Sequence, residues 1–294
     1  MIQEAAGKIA KRNKFNDKAA TILLWVLGIG LSTFICMLLY TILYKGLGKL
    51  DVGFLFRLPE ELDEGGGIGP VLFNSFYVLF IAMFISIPIG IGSGIYLAEY
   101  APDNKRTAAI RICVEGLASV PSIVFGLFGM VIFVDYFQIG LTILGGGVTL
   151  ALLNLPMLTR VTEEAIRGVS NELREAAYAM GATKFQCIRT VVFPAAFSRI
   201  ITGISLVAGR AYGESAVIIL TAGTSTSGAM WDFNLFSPGS TLAVHLWYVQ
   251  SEAIVPDARE IADKAAAVLV FVILAINTLL RGTAWLNNRR INDN

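Results

Sequence analysis

AATILLWVLGIGLSTFICMLLYTILY, residues 19–44, runs for 26 positions without a charged side chain. A helix rises 1.5 Å per residue, so about 20 apolar residues cross the roughly 30 Å hydrocarbon core of a bilayer. This stretch is long enough to span. It is too long for the apolar core of a signal peptide, and no small-residue cleavage site follows it, so it reads as a retained membrane helix. The composition agrees. The chain is 294 residues, 55% hydrophobic and 15% charged, with a mean hydropathy of +0.67, against roughly 25% charged in soluble domains.

Five further apolar runs follow. They lie at about 70–98, 112–135 (ICVEGLASVPSIVFGLFGMVIFVD), 141–159 (LTILGGGVTLALLNLPMLT), 200–222 and 264–286 (KAAAVLVFVILAINTLLRGTAWL). The expected fold class is therefore an all-α polytopic membrane protein with six transmembrane helices. Pro88, Pro121 and Pro156 are expected to interrupt or kink their helices, which membrane helices tolerate. A net charge of +1 gives no reason to expect a nucleic-acid partner. The three cysteines, Cys36, Cys113 and Cys187, have neither metal-ligand spacing nor a disulfide framework. No GxxxxGK[ST] loop occurs, so the chain has no familiar means of holding ATP itself.

Lysine and arginine placement sets the expected orientation. With both termini cytoplasmic, seventeen of the 23 basic residues fall inside and five outside, leaving Arg210 within a span. The outer side would carry an acidic and then glycine-rich stretch before the second span, and a long polar loop over 223–263. That loop holds the one histidine, His245, either as a contact for a partner or as an ordinary loop residue. Glu99 and Glu115, near the connection between spans two and three, are expected to pair with Lys105, Arg106 or Arg111.

The cytoplasmic loop RVTEEAIRGVSNELREAAYAMGATKFQCIRTVVFPAAFSR, residues 160–199, predicts a helix, a turn and a second helix. Ser170 and Asn171 can cap the first helix and Gly181 can end it in the left-handed region. Thr183 can cap the second, which is expected to stop where Pro194 interrupts it. Leu173, Ala176, Ala177 and Met180 recur at helical spacing, so one face can pack against something.

Within this loop, Glu175-Ala176-Ala177, then Gly181, then Val191-Val192-Phe193-Pro194 resembles the EAA signature of ABC importer permeases. Further segments narrow the likeness: GGGIGP (65–70), SIPIGIGSGIYLAEYAP (86–102), SVPSIVFGLFG (119–129), TEEAIRGVSNELREAAYAMGATKFQ (162–186), GRAYGESA (209–216) and STLAVHLWYVQSE (240–252). Together they resemble the PstA family, one of two related membrane subunits of bacterial phosphate importers. Ser215-Ala216-Val217 departs from the Thr-Ala-Pro common there. The resemblance covers about residues 65–285 and implies a type I ABC importer permease (MetI-like) fold. Residues 1–18 would form a cytoplasmic tail and 19–44 the first transmembrane helix. Residues 67–286 would form a permease core of five helices with the coupling loop at 160–199, and 287–294 a second cytoplasmic tail.

The resemblance also implies partners: a homologous PstC-like permease, two copies of a PstB-like ATPase, an extracytoplasmic PstS-like phosphate-binding protein, and the bilayer. The chain would bind no cofactor and catalyse no reaction, ATP and Mg being used by the ATPase. Glu175, Ala176, Ala177 and Gly181 would dock on that ATPase, and alternating access would move phosphate inward. Importers of sulfate or molybdate, a passive anion channel, and a membrane scaffold for signalling are the alternatives.

VAGRAYGESAVII, residues 207–219, holds the candidate pathway residues. On a helix over 200–222, Arg210 would lie near the bilayer midplane, where a charge costs about 2.5–3.5 kcal/mol by insertion measurements. Glu214, four residues on, would share its face and form a salt bridge, and Gly209 and Gly213 would permit close helix approach. A guanidinium donates two parallel hydrogen bonds to phosphate oxygens. Arg210 is thus a candidate phosphate contact with Glu214 holding it between substrates, or the two form a structural lock. Arg160 is a second candidate, as pathway residue or positive-inside anchor. Asn154, Ser122 and Ser215 are polar groups more expected to bond neighbouring helices.

Overall fold

Backbone polar groups have no water to bond in a bilayer, and helices satisfy those groups internally. The computed structural model obeys this rule, and it describes residues 2–60, 64–252 and 254–292, with side chains over 17–60, 64–252 and 254–284. Among these residues all regular secondary structure is helical, apart from an isolated bridge between Thr226 and Gly239 in the loop between Thr221 and Leu242. The side chains of the expected tails, up to Asn16 and from residue 287 onward, lie outside the described set.

Helix α1 (Ile2–Leu47) carries the opening stretch and continues unbroken into the expected N-terminal tail. Its apolar side chains between Ile22 and Met37 are exposed. It meets the rest of the chain near its end, where a Cβ on Gly46 would collide with Ala267 and the Asp263 carbonyl. Helix α2 (Gly69–Ile95) starts with Pro70 in its first turn, where a missing N–H costs nothing. It passes through Pro88 and ends in a π-helical turn, Tyr96–Tyr100.

The expected third span is two helices. Helix α3 (Lys105–Ser119) is capped by Asn104, whose side chain accepts from the Thr107 N–H at 3.0 Å. Val120 and Pro121 are extended, and α4 (Ser122–Gly129), with a π-helical continuation to Tyr136, leaves at 93°. Proline biases the residue before it away from helical angles, so the break falls where Pro121 stands. Five helices are long and apolar enough to cross a membrane, and a sixth crossing requires this bent pair.

Helix α5 (Ile143–Arg167) is the centre of the bundle. Its start is capped by Thr142, and the Ile143 and Leu144 N–H groups donate to carbonyls of Ser237 and Leu235 in the distant loop over 222–241. Donors that a helix leaves open at its first turn are thereby satisfied. Gly90 and Gly94 of α2 lie against Leu158 and Thr162 of α5. Lipid removes most of the hydrophobic drive between helices, so such close approach at small residues carries the packing.

Helix α6 (Asn171–Ala179) ends at Gly181, whose φ of +83° is left-handed. The Gly181 N–H bonds the Tyr178 carbonyl and the Ala182 N–H that of Ala177, closing a Schellman motif. Thr183 then starts α7 (Lys184–Cys187) with a complete capping box to Gln186. Pro194 does not stop this helix. A π-helical turn, Ile188–Val192, leads directly into α8 (Phe193–Tyr212), and Pro194 sits in that first turn, so one helical path runs from Lys184 to Tyr212. The wider π turn absorbs the hydrogen bond that a proline cannot make.

The expected fifth span, 200–222, also ends early. Tyr212 closes α8, Gly213 caps it, and a short α9 (Ala216–Thr221) follows. The expected polar loop then contains α10 (Leu242–Ser251), whose start is tied to α2 by the Leu242 N–H donating to Ser75 Oγ at 2.7 Å. Helix α11 (Ala258–Asn292) completes the bundle. Its start pairs with the end of α1 through Lys49 and Glu260 at 3.4 Å. Its far end meets the start of α8 through Ser198 Oγ and the Ala284 carbonyl at 3.1 Å.

Candidate functional site

Arg210 occupies the last turn of α8. The Gly213 N–H already bonds the Arg210 carbonyl and the Glu214 N–H that of Ala211, so Glu214 lies past the helix end. The expected i, i+4 salt bridge is therefore absent: neither residue has an ion pair among the described residues, because that spacing rule needs a continuous helix. Arg210 is exposed on the single chain and Glu214 half-buried. Gly209 does allow close approach, since a Cβ there would lie 2.6 Å from Asn277 Nδ2 on α11, whereas Gly213 has room for one.

The nearest polarizable partner of Arg210 is on α5, where Met157 Sδ lies 3.9 Å from its Nη1. Arg160 is one turn further along α5, on the same face as Met157. The two candidate arginines thus border one stripe of α5 running from the end of α8 toward the end that carries α6. Asn154, one turn back, is buried. Arg160 donates from Nε to Glu164 at 2.9 Å and lies 3.7 Å from Glu115 of α3.

Glu115 therefore pairs across to α5 and not with the basic residues of its own connection. Arg111, one turn earlier on α3, bonds Glu163 at 2.7 Å, and Glu163 also takes Arg167 at 3.2 Å. The groups alternate in sign where α3 crosses α5, because each helix presents its charges at spacings of three and four. Glu99 also departs from expectation. It accepts from Arg174 of α6 at 2.8 Å, and both side chains are buried, 8% and 14% exposed. Glu163 could have been found from its i, i+4 spacing to Arg167. Arg174 had no such signal, since its partner is 75 positions away.

In the EAA segment, Glu175, Ala176 and Gly181 are exposed while Ala177 is buried in the core with Cys187, Val192 and Ala196. The apolar face expected of α6 is split. Ala177 points inward, and Leu173 and Met180 are exposed at 45% and 88%.

His245 is not a loop residue. It lies on α10, nine-tenths buried, with Nε2 unpartnered. It lines a small cavity of about 50 Å³ with Glu60, Thr224, Ser225, Thr226 and Tyr248. Burial pushes its pKa from 6.5 down to about 4, because the charged imidazolium would lose its hydration.

A bundle of apolar, membrane-length helices with charges confined to one stripe and to the helix ends defines a multi-pass membrane protein. The chain belongs to the family described as binding-protein-dependent transport system inner membrane component, which residues 86–293 match. It is 42% identical over 283 residues to a probable ABC transporter permease protein, YqgI, of Bacillus subtilis (strain 168), covering 93% of this chain and 95% of that one. It is 31% identical over 247 residues to the phosphate transport system permease protein PstA of Haemophilus influenzae (strain ATCC 51907 / DSM 11121 / KW20 / Rd), covering 84% and 86%. Among solved structures, an inward-facing MetNI methionine ABC transporter chain matches with a TM-score of 0.58 at 19% identity, over 73% of this chain and 93% of that one. A bacterial ABC transporter involved in import of the acidic polysaccharide alginate matches with the same score at 14% identity, over 91% and 96%. The fold is that of ABC importer permeases, and the chain is a membrane transport subunit of that class.

Proposed function

We propose that this chain is the permease subunit of an ATP-driven inorganic phosphate importer and forms half of the translocation pathway. The observation that carries the reading is the stripe on α5 bordered by Arg210 and Arg160, with Arg210 exposed on the single chain and without an ion pair among the described residues. A guanidinium without a fixed counter-ion keeps its bidentate fork available to an oxyanion. Glu214, half-buried just beyond the helix end, lowers the attraction and lets the anion leave. Arg160, already shared between Glu115 and Glu164, sits further along the same stripe. Similarity to phosphate permeases supports phosphate as the cargo.

The working assembly pairs this chain with a homologous PstC-like permease, two PstB-like ATPase copies that use ATP and Mg, and a PstS-like binding protein. The loop at 160–199, with Glu175, Ala176, Ala177 and Gly181, couples it to the ATPase, and both termini are cytoplasmic in the bacterial cell membrane. The exposed Glu175 and Met180 support the coupling role. The contacts that bring the end of α11 to the start of α8 support placing the C-terminus beside the loop.

The test is uptake into vesicles reconstituted with all partners, comparing Arg210→Gln with wild type and offering phosphate, sulfate or molybdate. Loss of phosphate uptake with an assembled complex and persisting binding-protein-stimulated ATP hydrolysis is the expected result. Loss of assembly or of hydrolysis would make Arg210 a structural residue, and uptake of sulfate or molybdate in place of phosphate would reassign the cargo.

A further inference from the structure

The guanidinium of Arg174 joins three elements. Its Nε and Nη2 donate to Glu99 Oε1 at 3.1 and 2.8 Å, at the π-helical end of α2. Its Nη2 also donates to the Ile166 carbonyl at 2.8 Å, and Nη1 to the Val169 carbonyl at 2.6 Å. Ile166 lies in the last turn of α5, and its carbonyl also accepts from the Val169 N–H at 3.2 Å. Weaker bonds run from Nη1 to the Ser170 carbonyl at 3.4 Å and Asn171 Oδ1 at 3.3 Å, at the start of α6 itself. Ser170 makes no side-chain cap to α6, and Arg174, a donor only, binds the oxygens on either side of that start without capping its N–H groups.

Burial separates this pair from the exposed ion pairs at the same end of the bundle; Arg111–Glu163, 22% and 12% exposed, is the other pair held mostly out of water. Arg160–Glu164 is exposed on both sides, 49% and 63%, and such pairs contribute little. Arg174 and Glu99 are largely out of water, and removing one partner from a buried pair leaves a charge that the fold must expel or rearrange around. Ala177 is the one buried residue of α6 among those described.

We infer that the Arg174–Glu99 pair is the rigid fastener that makes α6 move together with α2 and α5, so that force applied to the loop reaches the pathway helices. This rests on the reading of 160–199 as the coupling loop. Neighbouring Glu175 faces outward while Arg174 holds inward, so adjacent residues divide docking from transmission. A side chain that only stabilised the fold would lower hydrolysis and uptake together. A fastener, when loosened, lets the ATPase cycle without moving the helices. Arg174 and Glu99 are thus positioning residues: they touch no substrate.

The experiment uses the full complex in vesicles, each chain carrying Met180→Cys on the exposed face of the loop for cross-linking to the ATPase. Phosphate moved per ATP hydrolysed is measured for wild type, Arg174→Gln, Arg174→Lys and Glu99→Gln. The expected result is retained cross-linking and stimulated hydrolysis within about twofold of wild type. Phosphate moved per ATP falls about tenfold or more in Arg174→Gln and Glu99→Gln, and less in Arg174→Lys, which keeps the charge but not the fork. Retained cross-linking with an unchanged ratio overturns the inference, as does failure of both Arg174→Gln and Glu99→Gln to assemble. Absence of cross-linking in the otherwise wild-type chain would instead refute the coupling reading.

Discussion

Gly94→Ala is the smallest change that tests how α2 and α5 hold together. A Cβ at Gly94 would lie 2.5 Å from Thr162 Cβ, 2.8 Å from Thr162 Cγ2 and 2.7 Å from the Thr159 carbonyl oxygen. Carbon atoms in contact sit about 3.5–4.0 Å apart, so the helices must separate by about 1 Å here. Rotamer change at Thr162 gives no escape, because its Cβ and the Thr159 carbonyl move only with the backbone. Overpacking of this kind costs about 1–3 kcal/mol, against a gain of up to about 1 kcal/mol from replacing a helical glycine with alanine. Gly92, on the same helix, has nothing within 4 Å of its Cβ position. Gly92→Ala carries the propensity gain without the collision, so the two variants should differ by about 1–3 kcal/mol, with Gly94→Ala the less stable. The assay is the midpoint of heat inactivation of the purified full complex in detergent, followed by size-exclusion profile. Equal midpoints for the two variants would refute the argument that this close approach holds α2 on α5.

Two further outcomes are expected. His245 takes up a proton near pH 6.5 when unfolded and near pH 4 when folded. The unfolded chain therefore binds more protons between these values. The stabilisation from keeping this residue neutral is complete above about pH 6.5 and is lost as pH falls toward 4, amounting to roughly 3 kcal/mol. Glu60 lines the same cavity. Thermal midpoints recorded from pH 7 to 4.5 should fall more steeply for wild type than for His245→Gln, and parallel curves would contradict the burial argument. Glu163→Gln strips the carboxylate shared by Arg111 and Arg167, leaving Arg111 the Leu97 carbonyl at 3.0 Å and, as its one remaining ion pair among the described residues, Asp103 at 3.8 Å. It should cost up to about 3 kcal/mol, whereas Glu164→Gln on the exposed pair should cost less than about 1 kcal/mol by the same thermal assay.

Local chemistry could be read directly from the sequence. Long uncharged runs predict membrane helices because the bilayer rewards them residue by residue, and five of the expected spans overlap membrane-length helices, the fifth only as far as Tyr212. The helical hairpin at 171–193 followed from Gly181 and the Thr183 cap, since a left-handed glycine and an N-cap act within a few residues. The arginine of 207–219 stood out because a charge in an apolar run is costly wherever it sits.

Tertiary structure decided what those residues do to one another. Hydropathy does not mark where a helix ends inside an apolar stretch, so the stop at Tyr212, and with it the missing Arg210–Glu214 bridge, depended on α9 packing beside α4 and α5. Nor does hydropathy mark direction: only the packed chain shows α3 and α4 meeting at 93°. His245 looked like a polar-loop residue until α10 folded back onto α2 and buried it. Arg174 and Glu99 are ordinary charges in two separate motifs. Their pairing exists because the π-helical end of α2 and the start of α6 meet, and a contact across 75 residues leaves no periodicity from which to read it.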